Sequence, residues 1–229
     1  MHFSLVVPFY NEEHIAENVV LDLLKAFRDL GVRFELVLVN NGSTDNTPQI
    51  LERLAESNKE ITIINIGENR GYGWGIINGL RVAKGECLGF SPGDGQVCGT
   101  EAVKVYRRLV DDNLDLCKAK QASRDDGAIR KIQSAAYNFI LPIFFRVQTR
   151  DINRSPKMMR RNVYERLQLS CKDWFLDAEI MIKSNRLALK VGEVPIFFEK
   201  RRTGKSNVKF TTVLEFVKNI MWYRLRNFN

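Results

Sequence analysis

Short apolar runs alternate with segments of helical periodicity along the first half of the chain. The runs have the length and composition of buried strands and cover Leu5–Val7, Phe34–Val39, Ile61–Ile66, Cys87–Phe90 and Leu114–Ala119. Apolar residues spaced three and four apart predict helices over Glu13–Leu30, Gly75–Ala83 and Thr100–Leu109, and another that begins at Thr47 and Pro48. This order predicts an α/β fold, with a mostly parallel sheet and helices on both faces.

The second half of the chain is less regular. Its pattern predicts strands over Lys157–Met159 and Val191–Phe198, and helices over Arg130–Arg146, Val163–Leu169, Leu176–Ser184 and Thr212–Asn227. We expect a single domain over residues 1–229, divided into parts at 1–120 and 121–211 and a C-terminal amphipathic helix at 212–229.

Each of the first four predicted strands ends in a polar or glycine-rich segment rather than a plain tight turn. These segments are Pro8–Glu13, Asn40–Asp45, Gly67–Gly75 and Ser91–Gln96. Ligands of open parallel sheets bind outside the carboxyl ends of the strands, so these four segments predict a binding site. For Asn40–Asp45, a turn followed by a helix cap is the alternative, because Asn, Gly and Ser all favour turns.

Composition and cysteine usage are those of a globular protein in a reducing compartment. Of the 229 residues, 45% are hydrophobic and 27% are charged. The four cysteines form no CxxC pair, which argues against a disulfide framework and against a zinc site. No apolar stretch is long enough to span a membrane and the N-terminus lacks a signal-peptide pattern, so we expect a cytoplasmic location.

The net charge of +8 is concentrated in two segments. Residues 144–166 hold seven basic and two acidic side chains, and residues 199–209 hold five basic and one acidic. A local positive field suggests an anionic partner such as phosphates or a membrane surface, although a solvated charged surface has the same composition. We expect no nucleic-acid partner, because these segments show no interleaved base-stacking surface.

Two segments combine an aromatic apolar face with nearby arginines. Residues 135–145 are followed by Arg146 and Arg150, and residues 213–228 contain Arg224 and Arg226. This combination is typical of helices that lie at a membrane interface, and predicts peripheral association with the inner membrane face. A core helix or a homo-oligomer contact is the alternative.

Six segments, taken in order, resemble the family 2 glycosyltransferases of the GT-A fold. Within that family they are similar to the dolichyl- and polyprenyl-phosphate mannosyl- and glucosyltransferases. The segments are VVPFYNEE (6–13), VNNGSTDNT (39–47), NRGYGWGIINGLRVAKGE (69–86), GDGQ (93–96), RDINRSPKMMRR (150–161) and VGEVPIFFEKRRTGKS (191–206).

The resemblance implies an inverting enzyme that moves a hexose from a GDP- or UDP-linked sugar to a polyprenyl or dolichyl phosphate. Residues 1–120 would bind the nucleotide sugar and residues 121–211 the acceptor. Two alternatives stay open: transfer to a sugar or glycan hydroxyl, and a non-catalytic homologue that binds a nucleotide sugar or a lipid.

The resemblance also implies the residues that bind the nucleotide sugar. They are Pro8, Tyr10, Asn11, Glu12, Asn40, Asn41, Ser43, Asn69, Gly71, Tyr72 and Gln96. Asn40 matches a position where the family usually has a base-binding Asp, and Asn41 replaces a second usual Asp. An amide can still pair with a base edge, but it has no charge, so base preference could differ.

A divalent cation, Mg²⁺ or Mn²⁺, is implied by the family's Asp-x-Asp motif. Here Asp94 matches the second Asp and Pro92 stands at the first, which leaves Asp94 as the metal ligand. Mg²⁺ is often held by one or two carboxylates together with substrate phosphates. A Pro-Gly-Asp-Gly turn without a metal is the alternative.

Catalytic roles are implied for Asp94, Asp177, Glu179 and Arg201. Asp177 and Glu179 match acidic positions near the acceptor, where a hydroxyl acceptor would need a general base and an ionised phosphate would not. Glu179 could instead be a structural acid. The acceptor or its phosphate would be bound by Arg124, Arg130, Asp151, Asn153, Lys157, Arg202, Lys205 and Ser206.

Overall fold

The structure, a computed structural model, describes residues 2–122 and 151–199. Its strands are β1 (His2–Phe9), β2 (Arg33–Asn41), β3 (Ile61–Ile66), β4 (Cys87–Phe90), β5 (Leu116–Gln121), β6 (Lys157–Arg160) and β7 (Val191–Ile196). Its helices are α1 (Ala16–Leu30), α2 (Thr47–Ser57), α3 (Tyr72–Val82), α4 (Gly99–Asp111), α5 (Arg161–Leu167) and α6 (Leu176–Arg186). The helices predicted over 130–146 and 212–227 lie outside the described residues.

One sheet contains all the described strands, in the order β3-β2-β1-β4-β6-β5-β7. The pairs β1–β2, β2–β3, β1–β4 and β5–β7 are parallel, and β6 runs antiparallel to both β4 and β5. The carboxyl ends of the parallel strands therefore lie along one edge, which β6 joins with its amino end at Lys157. The predicted α/β class and mostly parallel sheet are confirmed.

Two apolar layers cover the sheet, and β1 and β2 are therefore buried on both faces. Leu5 and Leu38 pack with α1, α2 and α4 on one face. Val6 and Val39 pack on the other face in a second apolar cluster that also contains α3 and α6 residues. This explains why these strands appear in sequence as continuous apolar runs rather than alternating ones. Within residues 2–122 and 151–199, no helix is long and apolar enough to cross a membrane.

Several helix starts differ from those predicted. The helix predicted from Glu13 begins at Ala16, because the Glu13 carboxylate accepts hydrogen bonds from the main-chain and side-chain nitrogens of Asn46. The helix predicted from Gly75 begins at Tyr72, directly after Gly71, whose φ of 110° is outside the helical range. Strand β5 is displaced towards the C-terminus, covering Leu116–Gln121 instead of Leu114–Ala119.

Helix α3 packs against the sheet through Gly79, which leads to a stability prediction. A Cβ at this position would collide with methyl groups of Val6 and Val39. We expect Gly79→Ala to lower the free energy of unfolding by about 1–3 kcal/mol, the usual cost of overpacking, despite the higher helix propensity of Ala. Urea denaturation measures this loss.

Gly67→Ala is the matched control, because a Cβ at Gly67 meets nothing within 4 Å and its φ is ordinary. We expect it to change the free energy of unfolding by less than about 0.5 kcal/mol. Equal losses in the two variants would contradict the packing of α3 described above.

Candidate functional site

The ends of β1 and β2 are tied together by short polar contacts. The main-chain N–H of Asn11 donates to Ser43 Oγ at 3.1 Å, and the N–H of Thr44 donates to Asn11 Oδ1 at 2.8 Å. The N–H of Glu12 donates to Thr47 Oγ1 at 2.9 Å. Asn11 has a φ of 54°, a left-handed conformation that Asn adopts more readily than most residues. The structure thus brings together Asn11, Glu12 and Ser43.

Asn40 is oriented by a chain of hydrogen bonds that begins at a carboxylate. Glu52 can only accept, so Asn65 presents its amide nitrogen to Glu52 at 3.3 Å and its oxygen to Asn40. Asn40 Nδ2 donates to that oxygen at 3.0 Å, and Asn40 Oδ1 accepts the N–H of Ser43 at 3.0 Å. Asn40 is buried, and its amide serves to fold the tip of β2.

Asn41 ties β2 to the turn that precedes α3. Its Nδ2 donates to the carbonyl oxygen of Gly71 at 3.1 Å and to Asn69 Oδ1 at 3.4 Å. Its Oδ1 is buried and has no hydrogen-bond partner among the described residues. A buried acceptor without a donor is uncommon in a native protein and requires an explanation, of which a ligand is one.

The start of α3 lies directly against the segment that precedes α6. A Cβ at Gly73 would lie 2.5 Å from the carbonyl oxygen of Cys171, and one at Gly71 would lie 2.7 Å from that of Lys172. The main-chain N–H of Trp74 donates to the same Lys172 oxygen at 2.8 Å. Only residues without a side chain allow this backbone approach.

Two aromatic rings stack across this contact. The rings of Tyr72 and Trp174 are 4.5 Å apart with an interplanar angle of 8°, and Trp174 is 40% exposed. The Tyr72 hydroxyl lies 3.3 Å from Ser155 Oγ. Burial raises the pKa of Tyr72 well above its usual value, and the negative charges of Asp177 and Asp94 add to this effect. The hydroxyl is therefore protonated at neutral pH.

Asp94 lies in the loop that follows β4. Its Oδ1 accepts the N–H of Gln96 at 3.2 Å, and Asp94 is partly exposed. Gly93 lies against β1, because a Cβ there would be 2.6 Å from the carbonyl oxygen of Pro8. Gln96 is joined by two hydrogen bonds to Glu199, which lies beyond β7. The Glu199 N–H donates to the Gln96 carbonyl oxygen at 2.9 Å, and Gln96 Nε2 donates to the Glu199 carbonyl oxygen at 3.3 Å. The loop therefore connects the ends of β1, β4 and β7.

The donor set at Asp94 suits a cation that arrives with its substrate. Within the described parts of the chain, no group of three or more His, Cys, Asp or Glu side chains is placed to hold a metal ion. Pro92 can supply no side-chain ligand, so Asp94 is the carboxylate available from this motif. One carboxylate fits a Mg²⁺ or Mn²⁺ ion whose remaining ligands are phosphate oxygens and water.

The residues predicted for the acceptor side have different surroundings. Lys157 and Asp177 are buried and form an ion pair with each other. Asn153 is exposed and Asp151 is partly buried. The remaining predicted acceptor residues and the predicted catalytic Arg201 lie outside the described residues: Arg124, Arg130, Arg201, Arg202, Lys205 and Ser206.

Glu179 is fully buried, and its carboxylate is saturated with protein donors. It accepts the main-chain N–H groups of Ser170 and Cys171 at 2.8–3.1 Å, and Lys183 Nζ at 2.7 Å. Burial alone would raise the pKa of Glu179, but these donors, Lys183 first, lower it. Such contacts are those of a residue that positions the 170–171 segment, which in turn lies against Gly73.

Some residues of this edge were not predicted from the sequence. Asn65 and Glu52 orient Asn40, Ser155 meets Tyr72, and Trp174 stacks on it. Asn65 interrupts an otherwise apolar strand, which is a signal that could have been used. The other three gain their roles from contacts distant in sequence, which no local pattern indicates.

Comparison with protein-family models gives a match over residues 4–168 to Glycosyl transferase family 2. Among curated proteins, Glycosyltransferase AglD of Haloferax volcanii is 27% identical over 207 residues, which are 86% of this chain and 33% of that protein. An undecaprenyl-phosphate 4-deoxy-4-formamido-L-arabinose transferase of Photorhabdus laumondii is 27% identical over 220 residues, 95% of this chain and 66% of that protein. The chain thus spans one third to two thirds of the length of these two relatives.

Solved structures share the fold. Glucosyl-3-phosphoglycerate synthase from Mycobacterium tuberculosis, in complex with phosphoglyceric acid, has a TM-score of 0.72 at 17% identity, over 97% of this chain and 79% of that one. Mannosyltransferase PcManGT from Pyrobaculum calidifontis, in complex with GDP-Man and Mn²⁺, has a TM-score of 0.60 at 18% identity, over 97% and 70%. At these identities the likeness establishes the architecture alone.

The contacts of Asn41 generate a prediction about charge. Asn41→Asp would place a carboxylate against the Gly71 carbonyl and Asn69 Oδ1, neither of which can donate a proton. We expect the free energy of unfolding at pH 7 to fall by about 1–3 kcal/mol. The pKa of the new carboxyl would be raised, so the loss would shrink as the pH falls through it and the protonated acid donates again. Denaturation at pH 7 and pH 5 measures both effects.

Asn69→Asp is the matched control, since Asn69 Oδ1 accepts from both Gly71 N–H and Asn41 Nδ2. A carboxylate accepts equally well there, so we expect little loss at either pH. If both variants lost the same stability, the assigned direction of the Asn41 hydrogen bonds would be wrong.

Proposed function

The chain belongs to glycosyl transferase family 2, and from this membership we propose that it is a metal-dependent glycosyltransferase that moves a hexose from a GDP- or UDP-linked sugar to a polyprenyl phosphate. The observation that carries the proposal is the convergence of the ends of β1, β2 and β4 on one edge. There Asn11 meets Ser43, Gly93 meets Pro8, and Asn41 donates to the Gly71 carbonyl just before Tyr72. Residues 1–120 would bind the donor and residues 121–211 the acceptor.

The donor nucleotide has two candidate contacts at the ends of β1 and β2. Asn41 Oδ1 is a buried acceptor without a described partner, and it could receive an N–H of a base. Tyr10 is 38% exposed at the end of β1 and could stack on the base. Uracil and guanine both present an N–H, so these contacts suit UDP and GDP alike.

A cation held by Asp94 and by the diphosphate oxygens would neutralise the charge of the leaving group. The Tyr72 hydroxyl, 3.3 Å from Ser155 Oγ, would donate a hydrogen bond to a phosphate oxygen of the donor. Both groups would stabilise negative charge where it develops.

A polyprenyl phosphate suits the acceptor side because its oxygen is already ionised at neutral pH. That oxygen attacks the anomeric carbon, the bond from this carbon to the diphosphate breaks, and the diphosphate leaves with the electron pair. No general base is required. The relative from Photorhabdus laumondii, whose name specifies an undecaprenyl-phosphate acceptor, supports this class of acceptor.

The basic residues Arg124, Arg130, Arg201, Arg202 and Lys205 would bind the acceptor phosphate. A lipid acceptor would bring the protein to the cytoplasmic face of a membrane, with the segments at 135–145 and 213–228 as the proposed contacts or as homo-oligomer surfaces.

Ligand-dependent stabilisation tests the donor site. We expect UDP- or GDP-sugars with Mn²⁺ to raise the melting temperature, since a ligand at 100 times its Kd adds about 2.7 kcal/mol to the free energy of unfolding. Asp94→Ala should abolish the part that depends on Mn²⁺. Glu56→Ala, at an exposed carboxylate on α2, should leave it intact. Stabilisation by neither class of nucleotide sugar would contradict a donor site.

Transfer itself is measured with radiolabelled nucleotide sugar and undecaprenyl phosphate in detergent. We expect a lipid-linked product, and a decrease in kcat/KM of about 100-fold or more for Asp94→Ala, as for the loss of other groups that stabilise developing charge. Product on a sugar or glycan hydroxyl instead of the lipid phosphate would contradict the proposed acceptor.

A further inference from the structure

Two lysines lie side by side beneath the edge of the sheet that carries Asp94. Lys157 on β6 is the register partner of Lys118 on β5, so both side chains project from the same face of the sheet. The register continues to Phe90 at the end of β4 and to Glu193 on β7. We call these four residues the lysine row. Neither lysine is exposed to solvent.

Each lysine of the row has its own carboxylate. Lys157 Nζ donates to Asp177, in the first turn of α6, and to the carbonyl oxygen of Arg154 at 3.0 Å. Lys118 Nζ lies 3.0 Å from the carboxylate of Glu193. Burial lowers the pKa of both lysines, while their carboxylates oppose this effect.

Such an arrangement is costly for a protein. Like charges directly opposite each other in a sheet are destabilising, and desolvating an ion pair can cost more than its attraction returns. Titratable groups in surroundings of this kind are concentrated at functional sites. The lysine row lies directly below the loop of Asp94, since Phe90 is followed by Ser91 and Pro92.

The ion pair limits what Asp177 can do. It is 2% exposed, and its carboxylate is held by the ammonium of Lys157. A general base must reach the acceptor proton and then carry it. If Asp177 took up a proton, Lys157 would be left as a buried charge without its counter-ion, which is strongly unfavourable.

The Lys157–Asp177 ion pair also belongs to a ring of contacts around Tyr72. Lys157 joins the 151–156 loop, through the Arg154 carbonyl, to the first turn of α6. Trp174, just before that turn, stacks on Tyr72. The Tyr72 hydroxyl in turn contacts Ser155, which lies in the 151–156 loop. Loosening the ion pair would therefore disturb the contacts of Trp174 and Ser155 with Tyr72.

We propose that Lys157 and Asp177 are positioning residues, whose ion pair fixes the Tyr72 hydroxyl beside the donor diphosphate, and that Asp177 does not take a proton from the acceptor. This inference rests on the proposed glycosyl transfer and deepens it. Because Asp177 supplies no base, the nucleophile must already be ionised, as a phosphate oxygen is. A neutral hydroxyl acceptor would find no base in this pair.

A double-mutant cycle tests the pair without reference to the reaction. Lys157→Met and Asp177→Leu each leave one buried charge unpaired, which should lower the melting temperature by about 10 °C. Together they replace the pair with apolar groups, so the double variant should recover at least half of the larger single loss. Additive losses would overturn the ion pair.

The position of Tyr72 is read from Trp174 fluorescence in a background with Trp74 and Trp222 replaced by Phe. Acrylamide quenching should increase in each single variant and return towards the parent value in the double variant. Lys104→Met is the matched control, because Lys104 pairs with the buried Glu101 on α4, which packs on the opposite face of the sheet from α3 and α6. Quenching should not change in this control. An unchanged signal in Lys157→Met would overturn the positioning role.

Whether Asp177 takes a proton is tested with farnesyl phosphate as acceptor at pH 5, where the phosphate still carries one proton because its second pKa is about 6. A base at Asp177 predicts that Asp177→Leu and the double variant both lose about 100-fold or more in kcat. The proposal expects the double variant to regain most of what the single variants lose, with a pH–rate profile of unchanged shape. A double variant as inactive as Asp177→Leu, while stable and able to bind the nucleotide sugar, would overturn it.

Two further outcomes are separated by design. If the single variants do not fold, Lys157→Arg is used instead, because it keeps a cation beside Asp177. We expect it to retain the parent's Trp174 quenching and its transfer activity. Loss of both would count against the role of the ion pair. If the parent protein transfers to no phosphate acceptor, the proposed function fails, while the stability cycle and the quenching still decide the positioning role.

Discussion

The site depends on one close approach of two backbones, at the start of α3. Gly71 and Gly73 have no side chain, and only for that reason can α3 lie against residues 171–173. The approach places Tyr72 on Trp174 and fixes the turn whose carbonyl receives Asn41. A Cβ at either glycine would clash with the backbone of residues 171–173.

The departures of this chain from its family's motifs change the charge of the site in one direction. Asn40 stands where the family usually has a base-binding Asp, Asn41 replaces a second usual Asp, and Pro92 stands at the first Asp of the metal motif, so the proposed donor site has three fewer negative charges. Two of the replacements are compensated structurally: the amides of Asn40 and Asn41 donate to Asn65 and Gly71, which carboxylates could not do.

Much of residues 2–122 could be predicted from the sequence, because the information that determines these elements is local. Strands buried on both faces appear as apolar runs, and the polar segments after Phe9, Asn41 and Phe90 mark the edge where they end. The start of α3 was misplaced because Tyr72 and two glycines are poor indicators of a helix, and only the contact with residues 171–173 holds them in one.

Residues 151–199 were less predictable, because their side-chain contacts depend on the register of the strands. In sequence, Lys157 resembles a phosphate-binding lysine, and Asp177 and Glu179 resemble catalytic acids. The insertion of β6 antiparallel between β4 and β5 places Lys157 opposite Lys118, in the interior. No pattern of spacing indicates that pairing, since it joins strands nearly forty residues apart.

Taken together, the carboxylates of this edge divide into two kinds. Asp177 is held by Lys157, and Glu179 by Ser170, Cys171 and Lys183, so both support the fold around Tyr72 and Trp174. Asp94 is partly exposed, and its described hydrogen bond, from the N–H of Gln96, uses one lone pair of one oxygen. Asp94 thus has lone pairs available for a cation. Asp177 and Glu179, the predicted general bases, are already engaged by protein donors. Such an edge favours a reaction in which the charge of a departing anion, here the proposed diphosphate, has to be stabilised. It also favours a nucleophile that is already ionised.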